Sequence, residues 1–152
     1  IYGKHIPDSD LYDALTPENL DEVIDKLEES ADNGENTLLI IDDFQAALKD
    51  PEVLARLQKI VTRMRHMRTT IFILQQNFQK MAKFLRELVT NVITFNVGKS
   101  QLDKLFEETV QLDKNKFQAL IDLAFQEKND WIAINVNGNR NIYRMFDKIV
   151  LE

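Results

Sequence analysis

The sequence predicts an α/β fold: a mostly parallel sheet with flanking helices, ending in an antiparallel β-hairpin. Three observations predict it. Short runs that are apolar on both faces alternate with amphipathic stretches, as buried parallel strands alternate with the helices between them. Two of those stretches open on a capping residue followed by proline, Thr16-Pro17 and Asp50-Pro51, which is how helices begin. Near the end, Asn137-Gly138 stands between two strand-like segments, a strong hairpin signal. At 152 residues the chain has the length of one domain, and residues 1–152 read as a single one.

In order, Ile1 to Ile6 reads as a short strand followed by a polar loop through Pro7, Asp8 and Asp10. From Thr16, the residues Leu20, Val23, Ile24 and Leu27 recur at helical spacing among acids, so a helix follows. Ala31 to Asn36 breaks it, and Thr37 to Ile41 forms a buried strand ending in Asp42-Asp43. After Asp50-Pro51, the stripe Val53, Leu54, Leu57, Ile60, Val61, Met64 and Met67 makes the clearest helix, with Arg56, Lys59 and Arg63 opposite. Thr69 to Leu74 reads as a second buried strand, Met81 to Leu88 as a helix and Asn91 to Val97 as a third strand. Gln101 to Thr109 and Asn115 to Glu127 read as packing helices. Trp131 to Val136 and Asn141 to Phe146 flank the Asn137-Gly138-Asn139-Arg140 turn.

Composition removes several classes of function. The absence of cysteine excludes disulfides, thiol nucleophiles and cysteine-zinc sites, and His5 and His66 alone leave little for a transition metal. No apolar run approaches the roughly 20 residues of a membrane span. A net charge of −6 argues against the whole surface clamping nucleic acid, although Arg63-Met64-Arg65-His66-Met67-Arg68 is a local basic stripe. The opening residues carry no initiator Met and no leader pattern, so the chain reads as a piece of something longer, and a reducing compartment is compatible with it. Phe72, Phe84, Phe95, Phe125 and Trp131 occupy packing positions and read as core rather than as a base-stacking platform.

The chemistry concentrates on Leu38-Leu39-Ile40-Ile41-Asp42-Asp43, which matches the Walker B pattern. A strand holds both acids where it leaves the sheet. The first carboxylate, Asp42, suits a magnesium ion held largely through water, and the second, Asp43, suits an attacking water. A strand that ends in a helix-capping acidic turn explains the same letters, and a phosphoacceptor receiver domain also has acids at a strand end.

Downstream, the Arg63-Met64-Arg65-His66 cluster leads into Phe72-Ile73-Leu74-Gln75-Gln76, then Leu85-Arg86-Glu87-Leu88 and Asn91-Val92-Ile93-Thr94-Phe95. In this order the segments resemble P-loop ATPases of the FtsK/HerA superfamily, closest to the poxvirus-type genome-packaging ATPases of large DNA viruses, over roughly residues 37 to 146. The resemblance implies the C-terminal part of an ASCE P-loop NTPase fold, using ATP and Mg2+ in the intact protein. It implies Gln76, with Gln75 as neighbour, as the polar sensor of the γ-phosphate. Arg65 becomes the arginine finger, with Arg86 second; a solvated basic helix end is the other reading of Arg63, Arg65 and Arg68. His66 reads as a surface or capping residue. The implied partners are double-stranded DNA, further copies in a homo-oligomeric ring and viral capsid or portal components, in the cytoplasm of an infected host cell or in the virion. Leu88 departs from the family, which often has Asn there, and Walker B ends in Asp rather than the Glu of bacterial relatives.

The phosphate-binding G-x-x-x-x-G-K-[ST] is absent from the chain. Gly98-Lys99-Ser100 is a lookalike, but Ile93 stands where the first glycine belongs and leaves no loop to wrap a phosphate. Gly98 reads as a turn and Ser100 as a helix cap. Without the strand preceding that loop, the chain is expected either to need the missing segment to fold fully or to rearrange or oligomerise so as to cover its exposed strand edges. A non-catalytic interaction module derived from the same fold is the alternative reading.

Overall fold

Thr16 starts the first helix, α1 (Pro17–Asp32), and its side chain accepts a hydrogen bond from the Asn19 amide at 3.2 Å. Asp50 starts α2 (Pro51–Arg63) in the same way, accepting from the Glu52 amide at 2.8 Å. Both caps satisfy amide groups that the helix itself leaves unpaired. The computed structural model describes residues 5–110, 114–137 and 141–150. They form two units, one of residues up to Gln76 with Lys80–Leu85, the other of Asn77–Gln79 with the residues from Arg86 onward.

In the first unit, β1 (Thr37–Asp42) pairs in parallel with β2 (Thr69–Leu74), in the register Thr37 to Thr69 through Asp42 to Leu74. Parallel neighbours need a crossover, and α2 supplies it. One face of this pair packs on the helices: Leu39, Ile41, Ile71 and Ile73 meet Leu20, Ile24 and Leu27 of α1 and Val53, Leu57 and Ile60 of α2. Complete burial of one such aliphatic side chain stabilises by about 1.5–3 kcal/mol. The other face is open, with Leu38 54 % and Phe72 55 % exposed. The expectation of strands buried on both faces is therefore corrected: the second face is largely open, with Ile40 half-buried on it. Met81 and Leu85 pack with Val61 in a smaller cluster. The helix carrying Leu85, α3, spans Lys83–Leu88, shorter than the predicted Met81 to Leu88: Met81 and Ala82 lie between it and a 3-10 turn at Phe78–Lys80.

The second unit contains β3 (Asn91–Phe95), α4 (Lys99–Thr109), α5 (Lys114–Ala124), β4 (Trp131–Asn135), β5 (Ile142–Arg144) and β6 (Asp147–Ile149). Its sheet runs β3-β4-β5-β6, antiparallel throughout. The mixed α/β class and the closing antiparallel strands stand as predicted, but parallel order is confined to β1 and β2. Periodicity places a strand without fixing the direction of its neighbour, and β3 finds β4 instead of a parallel partner. The short strand β6 was not anticipated. Leu102, Leu105, Phe106, Leu120 and Ala124 cover one face of this sheet, meeting Ile132, Ile134 and Ile142.

Phe95, expected in the core, is 57 % exposed on the other face, next to the exposed Ile93 and opposite Trp131. Phe84, Phe125 and Trp131 are half-buried. Asp130 is buried and accepts from the Gln126 and Glu127 amides and from Arg144 Nη2, each at 2.9 Å. Gly98 is the residue that caps α4, and Ser100 lies inside the helix, so the cap expected of Ser100 is corrected. Of the predicted opening strand, Ile1 to Lys4 lie outside the described residues, while His5 and Ile6 form a turn and a bend. Gly138 to Arg140 of the predicted hairpin turn also lie outside them.

Candidate functional site

Where β1 ends, Asp42 is its last residue and Asp43 the first beyond it, both exposed. Asp43 has φ 52°, the left-handed region that costs most residues roughly 1–2 kcal/mol and that aspartate tolerates better than most. Two contacts hold it there. Its amide donates to the Leu74 carbonyl at 3.1 Å, which extends the β1–β2 ladder by one bond. Its Oδ2 accepts from Gln76 Nε2 at 2.6 Å.

β2 delivers the glutamines. Its alternation continues past Leu74, so Gln75 is half-buried and Gln76 exposed. Both polar atoms of the Gln75 amide are buried without a hydrogen-bond partner, so it is Gln76 that the fold brings to the acids. The side chain of Asp42 makes no hydrogen bond or ion pair among the described residues and is open to solvent. No group of three or more His, Cys, Asp or Glu able to hold a metal occurs among the described residues. One free carboxylate fits a magnesium ion that keeps several waters and leans on nucleotide phosphates, and does not fit a cage built by the protein alone.

The arginines differ in kind. Arg65 lies in the turn between α2 and β2, exposed, and its guanidinium makes no hydrogen bond or ion pair among the described residues. Its neighbours are partly engaged: Arg63 pairs with Glu28 at 2.5 Å and Arg68 reaches Asn36 at 3.4 Å. His66 is exposed, as expected of a surface residue. Arg86 belongs to the second unit and is occupied there. Its Nη1 donates to the Gln79 carbonyl at 3.0 Å, and its guanidinium stands 5.7 Å from the centre of the Phe78 ring. Its Nε lies 2.8 Å from the Glu108 carboxylate, an ion pair whose alignment falls short of a hydrogen bond. The two arginines singled out in the sequence are thus one unpartnered cation and one packed, paired cation.

Three features escaped sequence reasoning: the left-handed backbone of Asp43, its bond to Gln76, and the buried Gln75 amide. Only the first left a trace in the sequence, since aspartate is among the few residues enriched at positive φ.

At this site the acidic end of one parallel strand stands beside the amide-bearing end of a second, and it is the family match that gives the class, a P-loop ATPase of the AAA type. The family model of the SpoVK-like AAA ATPase N-terminal domain matches residues 8–95, and the chain belongs to that family. The matched span contains α1, β1, α2, β2 and β3, and with them Asp42, Asp43, Arg65, Gln76 and Arg86. Nucleotide and magnesium use go with this family in general. Neither a curated protein nor a solved structure matches the chain.

Proposed function

We propose that the chain supplies the water-activating part of a magnesium-dependent ATPase, with Asp42 toward the metal, Asp43 toward the attacking water and Gln76 toward the γ-phosphate. The observation that carries this reading is the Asp43–Gln76 contact at 2.6 Å, which joins the two strand ends of the first unit at one point. Bound magnesium neutralises phosphate charge. The protein side chains orient the water, accept its proton and report the phosphate's presence. The phosphates themselves need a G-x-x-x-x-G-K-[ST] loop that these 152 residues do not contain. Short of a segment carrying that loop, the chain alone does not hydrolyse ATP.

Arg65 is the better finger of the two, because a guanidinium free in its own subunit is available to a neighbour's transition state. The finer reading is a homo-oligomeric ring that drives double-stranded DNA, as in viral genome packaging; the order of the Arg65, Gln76 and Arg86 segments supports it. The missing phosphate loop favours a second reading, a non-catalytic interaction module on the same scaffold.

In protein expressed from its complete reading frame, Asp43→Asn should lower kcat for ATP by about 10²-fold or more, the range of a lost general base, and Asp42→Ala should abolish turnover through loss of the metal's carboxylate, both with the fold unchanged. Full turnover in either variant removes the assignment. Arg65→Ala should likewise lose turnover and regain it in rings mixed with Gln76→Ala subunits; no recovery in mixed rings excludes a finger acting between subunits.

A further inference from the structure

The antiparallel sheet of the second unit is covered on one face only. Helices α4 and α5 lie on the side of Ile132, Ile134 and Ile142, so the alternate residues of each strand point the other way. The strand register sorts those residues into three rows. In the first, Phe95 stands opposite Trp131, and the Trp131 ring meets that of Phe146 edge to face, 5.3 Å between centres. In the second, Ile93, Ala133, Tyr143 and Lys148 follow one another across all four strands. Asn91 and Asn135 form the third, the Asn135 side-chain amide donating to Asn91 Oδ1 at 3.1 Å. Phe146 is 86 % and Ile93 64 % exposed, and Trp131 and Tyr143 are half-buried.

Charge separates this face from an ordinary apolar patch. The chain has 25 Asp and Glu, yet among the described residues the positions on this face carry Lys148 and no carboxylate. An apolar protein partner does not require that exclusion, whereas a ligand bearing phosphates does, because like charges repel. Aromatic faces stack with nucleobases of any identity, and amide side chains have both donors and acceptors to offer a base edge. Successive rows are two residues apart, about 7 Å along the strands, roughly twice the 3.4 Å step between stacked bases. Bases therefore reach neighbouring rows only when splayed apart, as single strands allow and a duplex does not. We propose that this face binds single-stranded nucleic acid, with Phe95, Trp131 and Tyr143 stacking on bases and Lys148 meeting a phosphate. The site shares no residue with Asp42, Asp43 and Gln76, and it stands whether or not the ATPase reading does.

Trp131 is the only tryptophan of the chain, so its fluorescence reads the site directly. In the full 152-residue chain, oligothymidylate and oligouridylate of roughly 12 nucleotides, within the span that such sites cover, are titrated separately. Quenching of Trp131 by either supports the proposal, and the tighter of the two shows whether the strand taken is DNA or RNA. Phe95→Ala and Trp131→Ala, followed by anisotropy of a labelled oligomer and checked for fold by circular dichroism, should each weaken binding at least about fivefold, the lower end for a lost stacked base. Trp131→Phe, which keeps a ring, should bind close to the wild type, and Phe72→Ala, on the open face of the first unit, should change nothing. Lys148→Gln should lower the slope of log K against log salt by about 0.7, one phosphate contact to a single strand. No quenching by either oligomer, equal competition by a duplex of the same length, or an equal loss from Phe72→Ala overturns the proposal. A dimer that forms through Phe95 and Trp131 and that neither oligomer dissociates gives the face to a second copy, and overturns it too.

Discussion

Arg68, like Asp43, lies at positive φ, 50°, and closes the turn between α2 and β2 with its amide bonded to the Arg65 carbonyl. Among the described residues its side chain reaches only Asn36, at 3.4 Å. Glycine at this φ relieves about 1–2 kcal/mol of backbone strain and returns part of it as unfolded-state entropy. Arg68→Gly should therefore stabilise the chain by about 0.5–1 kcal/mol in urea unfolding, and a loss of stability would show that the Arg68 side chain matters more than its backbone. At Asp130, the Glu127 amide, with Arg144 and the Gln126 amide behind it, holds the carboxyl below the usual carboxylate range against the opposing effect of burial. A carboxyl depressed on folding stabilises the native state above its ordinary value near pH 4 and loses that contribution as pH falls through its lower folded value. Asp130→Asn should lower the melting temperature at pH 7 and flatten its decline between about pH 5 and 2. A variant that tracks the wild type across that window would contradict this account of the buried carboxylate.

At the scale of elements, the helices owe their positions to caps and their stability to one face. Ile60 sits at 0 % exposure in the middle of α2, against α1 and the covered face of β1 and β2. Ile60→Ala should cost roughly 2–5 kcal/mol, read as a lower urea midpoint; a cost under 1 kcal/mol would mean that the face collapses onto the gap. The caps at Thr16 and Asp50 were legible because capping is local: the donor lies two or three residues beyond the acceptor. The α4 start was misread for a related reason. Ser100 is a good capping residue type, yet β3 ends at Phe95 and the chain turns into the helix at Gly98, two residues before it. Strand positions were equally legible, but β6, three residues long, has too little pattern to announce itself.

At the scale of the molecule, both units show apolar side chains to solvent: Leu38 and Phe72 in the first, Ile93 and Phe95 in the second. Large exposed apolar residues beside one another promote association. Phe72→Gln and Phe95→Gln together should reduce light scattering on warming while moving the urea midpoint by no more than about 0.5 kcal/mol, the usual range for surface changes. A large fall in the midpoint would place these rings in a core. No helix among the described residues is long and apolar enough to cross a membrane.

The sequence by itself determined where Pro17–Asp32 and Pro51–Arg63 begin, where β1 and β2 run, and that two acids stand at a strand end, because each of these follows from neighbours within a few residues. Tertiary structure alone decided that β3 pairs antiparallel, that Phe72 and Phe95 are exposed, that Arg86 is paired while Arg65 is free, and that Gln76 rather than Gln75 reaches Asp43. Strand direction, solvent exposure and a hydrogen bond across 33 residues depend on which segments meet in space, and local pattern does not encode that meeting.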